Sequence, residues 1–268
     1  MRESRVIPPH LRRLRLFCAP PRPSLTASRR PGWGAALAVL ISCFWSAPAT
    51  AQWTGSVGLL SDYRYRGISR SDRQPVVQAA LAYDHSSGLF AGAQGSSMRL
   101  SHRGEEIGFE LLAYTGYARH IGSRGAWEVG LLRYEYPESA RARTYAYNET
   151  FVGASYGGFS LRAFYSPDYV AIRSRSVYFQ GAYVHPINDV TNVYGQVGVL
   201  KLAGRDTDQS LASAPRRSDL RVGVQRTWRE LQFDASIVAS DFPDNACPRG
   251  ERLCEWGLVL GVSYLFFP

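Results

Sequence analysis

The feature that most constrains this chain is the rhythm of its connections. From Gln52 onward, twelve segments of roughly ten residues alternate apolar and polar side chains with a period of two, the mark of strands with one apolar face. They cover residues 53–65, 74–84, 88–96, 107–119, 126–136, 146–156, 159–167, 176–185, 191–201, 218–227, 231–240 and 254–267. In the clearest of them Leu231, Phe233, Ala235, Ile237 and Ala239 share one face, and Gln232, Asp234, Ser236 and Ser240 share the other. Every second connection is short: 85–87, 120–125, 157–158, 186–190 and 228–230. The intervening ones are mostly longer and charged: 67–73, 97–106, 137–145, 168–175, 202–217 and 241–253. A soluble sandwich has no reason to alternate in this way. A meander barrel in a membrane does, because its tight turns face the periplasm and its long loops face outside.

The physics behind that pattern is simple. In hydrocarbon every backbone N–H and C=O must be bonded within the protein, and a sheet achieves this by closing on itself. A tilted strand of about ten residues spans the apolar layer. Bacterial single-chain barrels need an even number of strands. The expected fold is therefore all-β: a transmembrane up-and-down antiparallel β-barrel of about twelve strands, with short periplasmic turns and longer extracellular loops.

Composition agrees without deciding. The mean hydropathy of −0.21 is that of a soluble protein, but lumen-facing and lipid-facing residues cancel in any barrel average. Aromatics make up 13% of the chain, and there are 25 glycines. A spanning helix needs about 20 apolar residues, and residues 33–45 are the nearest approach to one. The net charge of +9 is concentrated at the start, where residues 1–51 hold eight arginines and one acid, leaving 23 basic against 21 acidic residues. That balance removes the basic excess that nucleic-acid binding requires.

Residues 1–51 read as a removed signal peptide. A basic stretch up to Arg30 precedes the apolar run 33–45, and small residues Ala49 and Ala51 then place cleavage between Ala51 and Gln52. The tetrad Leu40-Ile41-Ser42-Cys43 offers a lipoprotein-type alternative, with Cys43 as the acylated residue. The mature unit is 52–268, expected in the outer membrane of a Gram-negative cell. Its expected partners are outer-membrane lipid and lipopolysaccharide, the barrel-assembly machinery and a small solute of unknown identity, with no nucleic acid.

Aromatics gather near the ends of the segments: Trp53, Tyr63, Tyr65, Tyr83, Tyr114, Tyr117, Tyr134, Tyr136, Tyr165, Tyr183, Trp228, Trp256 and Tyr264. Such placement reads as interfacial girdles, against the plain preference of aromatics for strands. The last segment closes on Tyr264, Leu265, Phe266 and Phe267, an aromatic ending suited to barrel assembly, from which Pro268 departs.

The run Ser61 to Ala79, with Tyr63-Arg64-Tyr65-Arg66-Gly67-Ile68-Ser69 at its heart and Gly88-Leu89-Phe90-Ala91-Gly92 after it, resembles the opening of the proteobacterial Gcw_chp family of unknown function, also called TorF-type porins. The resemblance is strong over residues 57–96. Beyond that it is carried by strand rhythm, by Glu149 with Gly153 and Tyr156, and by Trp256-Gly257. It implies an outer-membrane barrel and a pore, and brings no catalytic residue or substrate.

Charges on the lipid face cost about 2–4 kcal/mol each at mid-depth, so most must point inward. If Tyr63 and Tyr65 face lipid, then Asp62, Arg64 and Arg66 face the lumen, and alternation adds Glu110, Glu128, Glu149, Arg162, Gln180, Gln196, Arg221 and Asp234. Two readings stay open: a mixed-charge pore lining, or an ion-pair plug filling a barrel narrower than those of general porins. Arg64 and Arg66 are the leading lining candidates. Cys247 and Cys254, the two cysteines of the mature unit, share the last long loop, where an exported protein forms a disulfide. A metal site is disfavoured because no histidine stands near them, and no cofactor is expected. No nucleophile elbow, phosphate loop or H-E-x-x-H motif occurs. His85, His120 and His185 fall in turns, so a rim enzyme ranks last. A porin or narrow solute channel passing solutes by diffusion is the expected function, followed by a plugged structural or adhesin-like barrel binding through its loops.

Overall fold

The computed structural model describes residues 52–102, 105–138, 145–171, 174–204, 216–242, 247 and 253–266. The leader and Ala51 of its cleavage site lie outside the described residues, as do Phe267 and Pro268. Fourteen strands follow in chain order: β1 (Gln52–Leu60), β2 (Arg64–Tyr65), β3 (Ile68–Ser69), β4 (Val76–Asp84), β5 (Leu89–His102), β6 (Glu105–Ile121), β7 (Gly125–Glu135), β8 (Tyr147–Tyr156), β9 (Phe159–Ser166), β10 (Ser174–Asn188), β11 (Thr191–Gly204), β12 (Arg216–Trp228), β13 (Leu231–Ser240) and β14 (Gly257–Phe266).

Twelve of them form one closed barrel, each paired antiparallel to its neighbours, and β1 seals it by pairing with both β4 and β14. The remaining two, β2 and β3, make a separate two-stranded hairpin. The wall therefore has no edge, which is what a sheet in hydrocarbon requires. Leu81, Val152, Leu161, Val197, Val222 and Ile237 stand exposed on its outer face. At the end carrying the short turns, outward aromatics pair along the wall: Trp53 with Tyr83, Tyr117 with Trp127, and Phe159 with Tyr183, at centroid distances of 4.9, 5.7 and 4.2 Å.

Three expectations are corrected. The segment 53–65 does not run through as one strand; β1 ends at Leu60, and the chain turns inward for residues 61–75 before β4. Residues 97–106 are not a long loop. After a register shift between Ser97 and Leu100, β5 and β6 go on pairing as far as His102 and Glu105. Finally, Tyr63, Tyr134 and Tyr136 are buried inside the barrel, and Tyr65 and Tyr114 pack against an internal cluster, so these five are not girdle residues. The phenol hydroxyls of Tyr63, Tyr65 and Tyr136 are turned to buried carboxylates, which lipid could not supply.

Inside, Phe90, Leu132, Tyr134, Tyr147, Phe151, Tyr169, Tyr178 and Leu200 form one packed cluster. Tyr63, Val76, Met98, Ile107 and Tyr136 form a second. The barrel thus has a core as well as an apolar exterior.

Candidate functional site

The site is the 61–75 segment together with the wall residues that receive it. Ser61 makes its last link to β14: its N–H donates to the Leu260 carbonyl, and its Oγ accepts from the Leu260 N–H. The next residue knots the segment. Asp62 accepts from Arg64 Nε at 2.6 Å, Ser69 Oγ at 2.6 Å and Ser71 Oγ at 3.0 Å. A carboxylate in this setting must be paired and hydrogen-bonded to be buried at all. Arg64 also donates to the carbonyls of Gly67 and Glu255, which ties the knot to the start of β14.

β2 and β3 are joined by Arg66 and Gly67, with φ of 50° and 83°. Two successive left-handed residues are what the tightest hairpin turn demands. Gly67 suits that conformation and also lets the tip press against Ser240 and Asp219, where an added Cβ would lie 2.7 and 3.0 Å from theirs. Arg66 is not a residue that favours this region, and holding it there costs on the order of 1–3 kcal/mol. What it gains is visible across the lumen. Its Nη2 donates to both carboxylate oxygens of Glu149, at 2.9 and 2.8 Å. Its guanidinium also lies 4.1 Å from the Tyr178 ring centroid, 4.8 Å from Tyr65 and 5.3 Å from Tyr169.

Arg70 makes the third link. It forms an ion pair with Glu110 and donates to Tyr136 Oη at 3.2 Å. Glu110 also accepts from the hydroxyls of Tyr63 and Tyr136, at 2.5 and 3.1 Å. Glu110 and Glu149 are each 1% exposed, so neither carboxylate is free to meet a passing solute. Three arginines thus meet three carboxylates (Asp62 within the segment, Glu110 on β6, Glu149 on β8), and the charges cancel.

This arrangement separates the candidate residues into two groups. Arg64 and Arg66 point inward as expected, but from an inserted plug and not from the wall. Glu110 and Glu149 are wall residues consumed by holding that plug. Nearer the turns, Glu128 and Arg162 form an ion pair across β8, with side chains 13% and 20% exposed. Gly153 between them makes the room, since a Cβ there would sit 2.6 Å from Glu128 Oε1 and 3.0 Å from Arg162 Cγ. Asp234 accepts from Tyr194 Oη at 2.7 Å, and Arg221 faces the same interior from β12, opposite Gln196.

Sequence reasoning missed Arg70, Tyr136, Tyr178 and Asp219. Tyr178 donates to Asp219 at 3.0 Å beside the plug tip. The signal that could have revealed Arg70 is the recurrence of Arg64, Arg66, Arg70 and Arg73 within one short segment, an excess that an ordinary surface loop does not need.

The disulfide-forming cysteines lie over the plug. The Cys247 and Cys254 sulfurs are 2.03 Å apart, and both residues pack with Phe242 and Leu253 against Ile68 of β3. Arg73 donates to the Trp256 carbonyl and pairs with Glu255 at 3.2 Å. Among the described residues, no group of three or more His, Cys, Asp or Glu could hold a metal ion.

A family model described as bacterial protein of unknown function (Gcw_chp) matches residues 46–256. Among solved structures the barrel is similar to that of the NanC porin, with a TM-score of 0.53 and 11% identity over 81% of this chain and 99% of that one. It is also similar to the KdgM porin, with a TM-score of 0.50 and 7% identity over 81% and 99%. At these identities the likeness is one of fold. No curated protein matches the chain in sequence.

Proposed function

The chain belongs to the Gcw_chp family, and on that premise we propose that it is a narrow outer-membrane channel of the porin type, closed at its loop end by the 61–75 segment. The observation that carries this reading is the pairing of Leu60 with Val76. The wall is complete beneath the segment, so moving it would leave the barrel intact. The plug is held to the wall largely by side chains: Arg66 to Glu149, Arg70 to Glu110, and Tyr63 to Glu110. Contacts of that kind can be exchanged for water without unpicking a ladder. Toward the turns the interior carries Glu128, Arg162, Arg221 and Asp234, a mixed lining suited to small polar solutes of either sign.

A second reading draws on the packed aromatic clusters inside the barrel. In that reading the lumen is filled for good, and the outer loops do the binding. Ion conductance across planar bilayers separates the two. The refolded chain should open rarely, and Glu110→Gln with Glu149→Gln should open it more often by loosening both arginines. A folded barrel that stays silent in both forms would leave the structural reading standing.

A further inference from the structure

On the outer face of three adjacent strands, at the loop end, the register brings three cations together. Lys201 of β11 is directly paired with Arg216 of β12. Across its other edge it pairs with Val177 of β10, and Arg175, two residues along, pairs with Ala203. Side chains directly opposite on an antiparallel pair stand about 5 Å apart and diagonal ones about 7–8 Å. Arg175, Lys201 and Arg216 are all exposed, and each lies on the same side of its strand as Phe179, Val197 or Leu220, which face outward.

Like charges set directly opposite one another destabilise a sheet. Among the described cross-strand pairs of the wall, Lys201 with Arg216 is the one that does this. Among the described residues no ion pair or side-chain hydrogen bond answers it at any of the three cations. Asp241, beyond the end of β13, is occupied by the Ser218 backbone N–H.

Depth supplies a second constraint. Arg216 and the turn-end Trp228 bound β12, thirteen residues in all. At about 3.3 Å per residue along a strand tilted by about 40°, they lie roughly 30 Å apart along the barrel axis. The apolar band of such a barrel is about 25 Å tall. With Trp228 at the periplasmic interface, the three cations therefore sit at the headgroup level of the outer leaflet, directly above apolar wall.

We propose that Arg175, Lys201 and Arg216 form a binding site for the phosphate groups of outer-leaflet lipopolysaccharide. The proposal rests on the outer-membrane placement argued above, though not on whether the barrel conducts. Arginine and lysine bind phosphate through charge-assisted hydrogen bonds, and one phosphate between Lys201 and Arg216 turns their repulsion into attraction on both sides.

Lys201 is the chain's single lysine, which makes it a direct reporter. The refolded full chain is placed in phosphatidylcholine bilayers alone, with lipopolysaccharide, or with the same lipopolysaccharide dephosphorylated. The acetylation rate of Lys201 is then read by peptide mass. Phosphorylated lipopolysaccharide should slow it about tenfold, the scale of one charge-assisted contact. The dephosphorylated form and inorganic phosphate alone should leave it unchanged. In the double variant Arg175→Gln, Arg216→Gln, the protection ratio should fall close to one, with folding checked by heat-dependent gel mobility.

Equal rates in all bilayers would overturn the proposal. So would protection that survives dephosphorylation, or protection by inorganic phosphate alone. Conductance of the Glu110→Gln, Glu149→Gln form in the same bilayers keeps the two readings apart: a protected barrel that stays silent even in that form removes the channel and leaves this site, and a conducting but unprotected one removes the site.

Discussion

Arg66, at the tip of a two-residue hairpin turn, grips both carboxylate oxygens of Glu149 on the far wall, 83 residues along the chain. Both side chains are cut off from solvent, at 7% and 0% exposure. Removing one partner of a buried ion pair strands the other charge and typically costs about 3–5 kcal/mol, whereas replacing both with apolar groups is often neutral. Glu149→Ala should therefore lower the urea midpoint strongly, while Arg66→Met with Glu149→Leu should recover most of the loss. A single variant as stable as the parent would mean that this contact does not hold the plug.

The cysteine pair that lies over the plug gives a second expectation. Peptide mapping without reductant should find Cys247 joined to Cys254; two free thiols would contradict it. Closing so short a loop contributes about 2–3 kcal/mol in the chain-entropy account. Because Ile68 packs on this pair and Arg64 and Arg73 bond to the backbone just after it, Cys247→Ser with Cys254→Ser should also raise the frequency of channel opening.

Val222 tests the membrane-facing surface. It stands 53% exposed on the outer face of β12. If that face meets hydrocarbon, Val222→Arg should cost about 2–4 kcal/mol in a bilayer, read as a fall in the denaturant midpoint of vesicle-inserted protein. A neutral substitution would deny that this surface meets hydrocarbon.

Much of the fold was legible in the amino-acid pattern, because a closed wall is repetitive. Alternation marks each strand, and short turns such as Gly157-Gly158 set the order. Inward charges such as Glu128 and Arg162 followed from the same parity. What parity could not reveal is that the run around Tyr63 to Ser69 leaves the wall. Its residues alternate like a strand, and only the pairing of Leu60 with Val76 shows that the wall passes beneath it. Tyr134 and Tyr136 misled for a related reason, since a tyrosine near a strand end suits a membrane interface or a buried carboxylate equally well. The answer lies in the folded plug, where Tyr136 meets Arg70 and Glu110 and Tyr134 meets the Tyr65 hydroxyl.

The central claim is that the 61–75 segment is a removable closure within a wall that stands without it. Replacing residues 62–75 with Asn-Gly-Thr should join β1 to β4 by a tight turn that continues the pairing of Leu60 with Val76. Single-channel conductance of that chain is the most direct measurement. A steadily open pore, in a barrel whose heat-dependent gel mobility matches that of the parent, is the predicted result. A folded barrel as silent as the parent would contradict it.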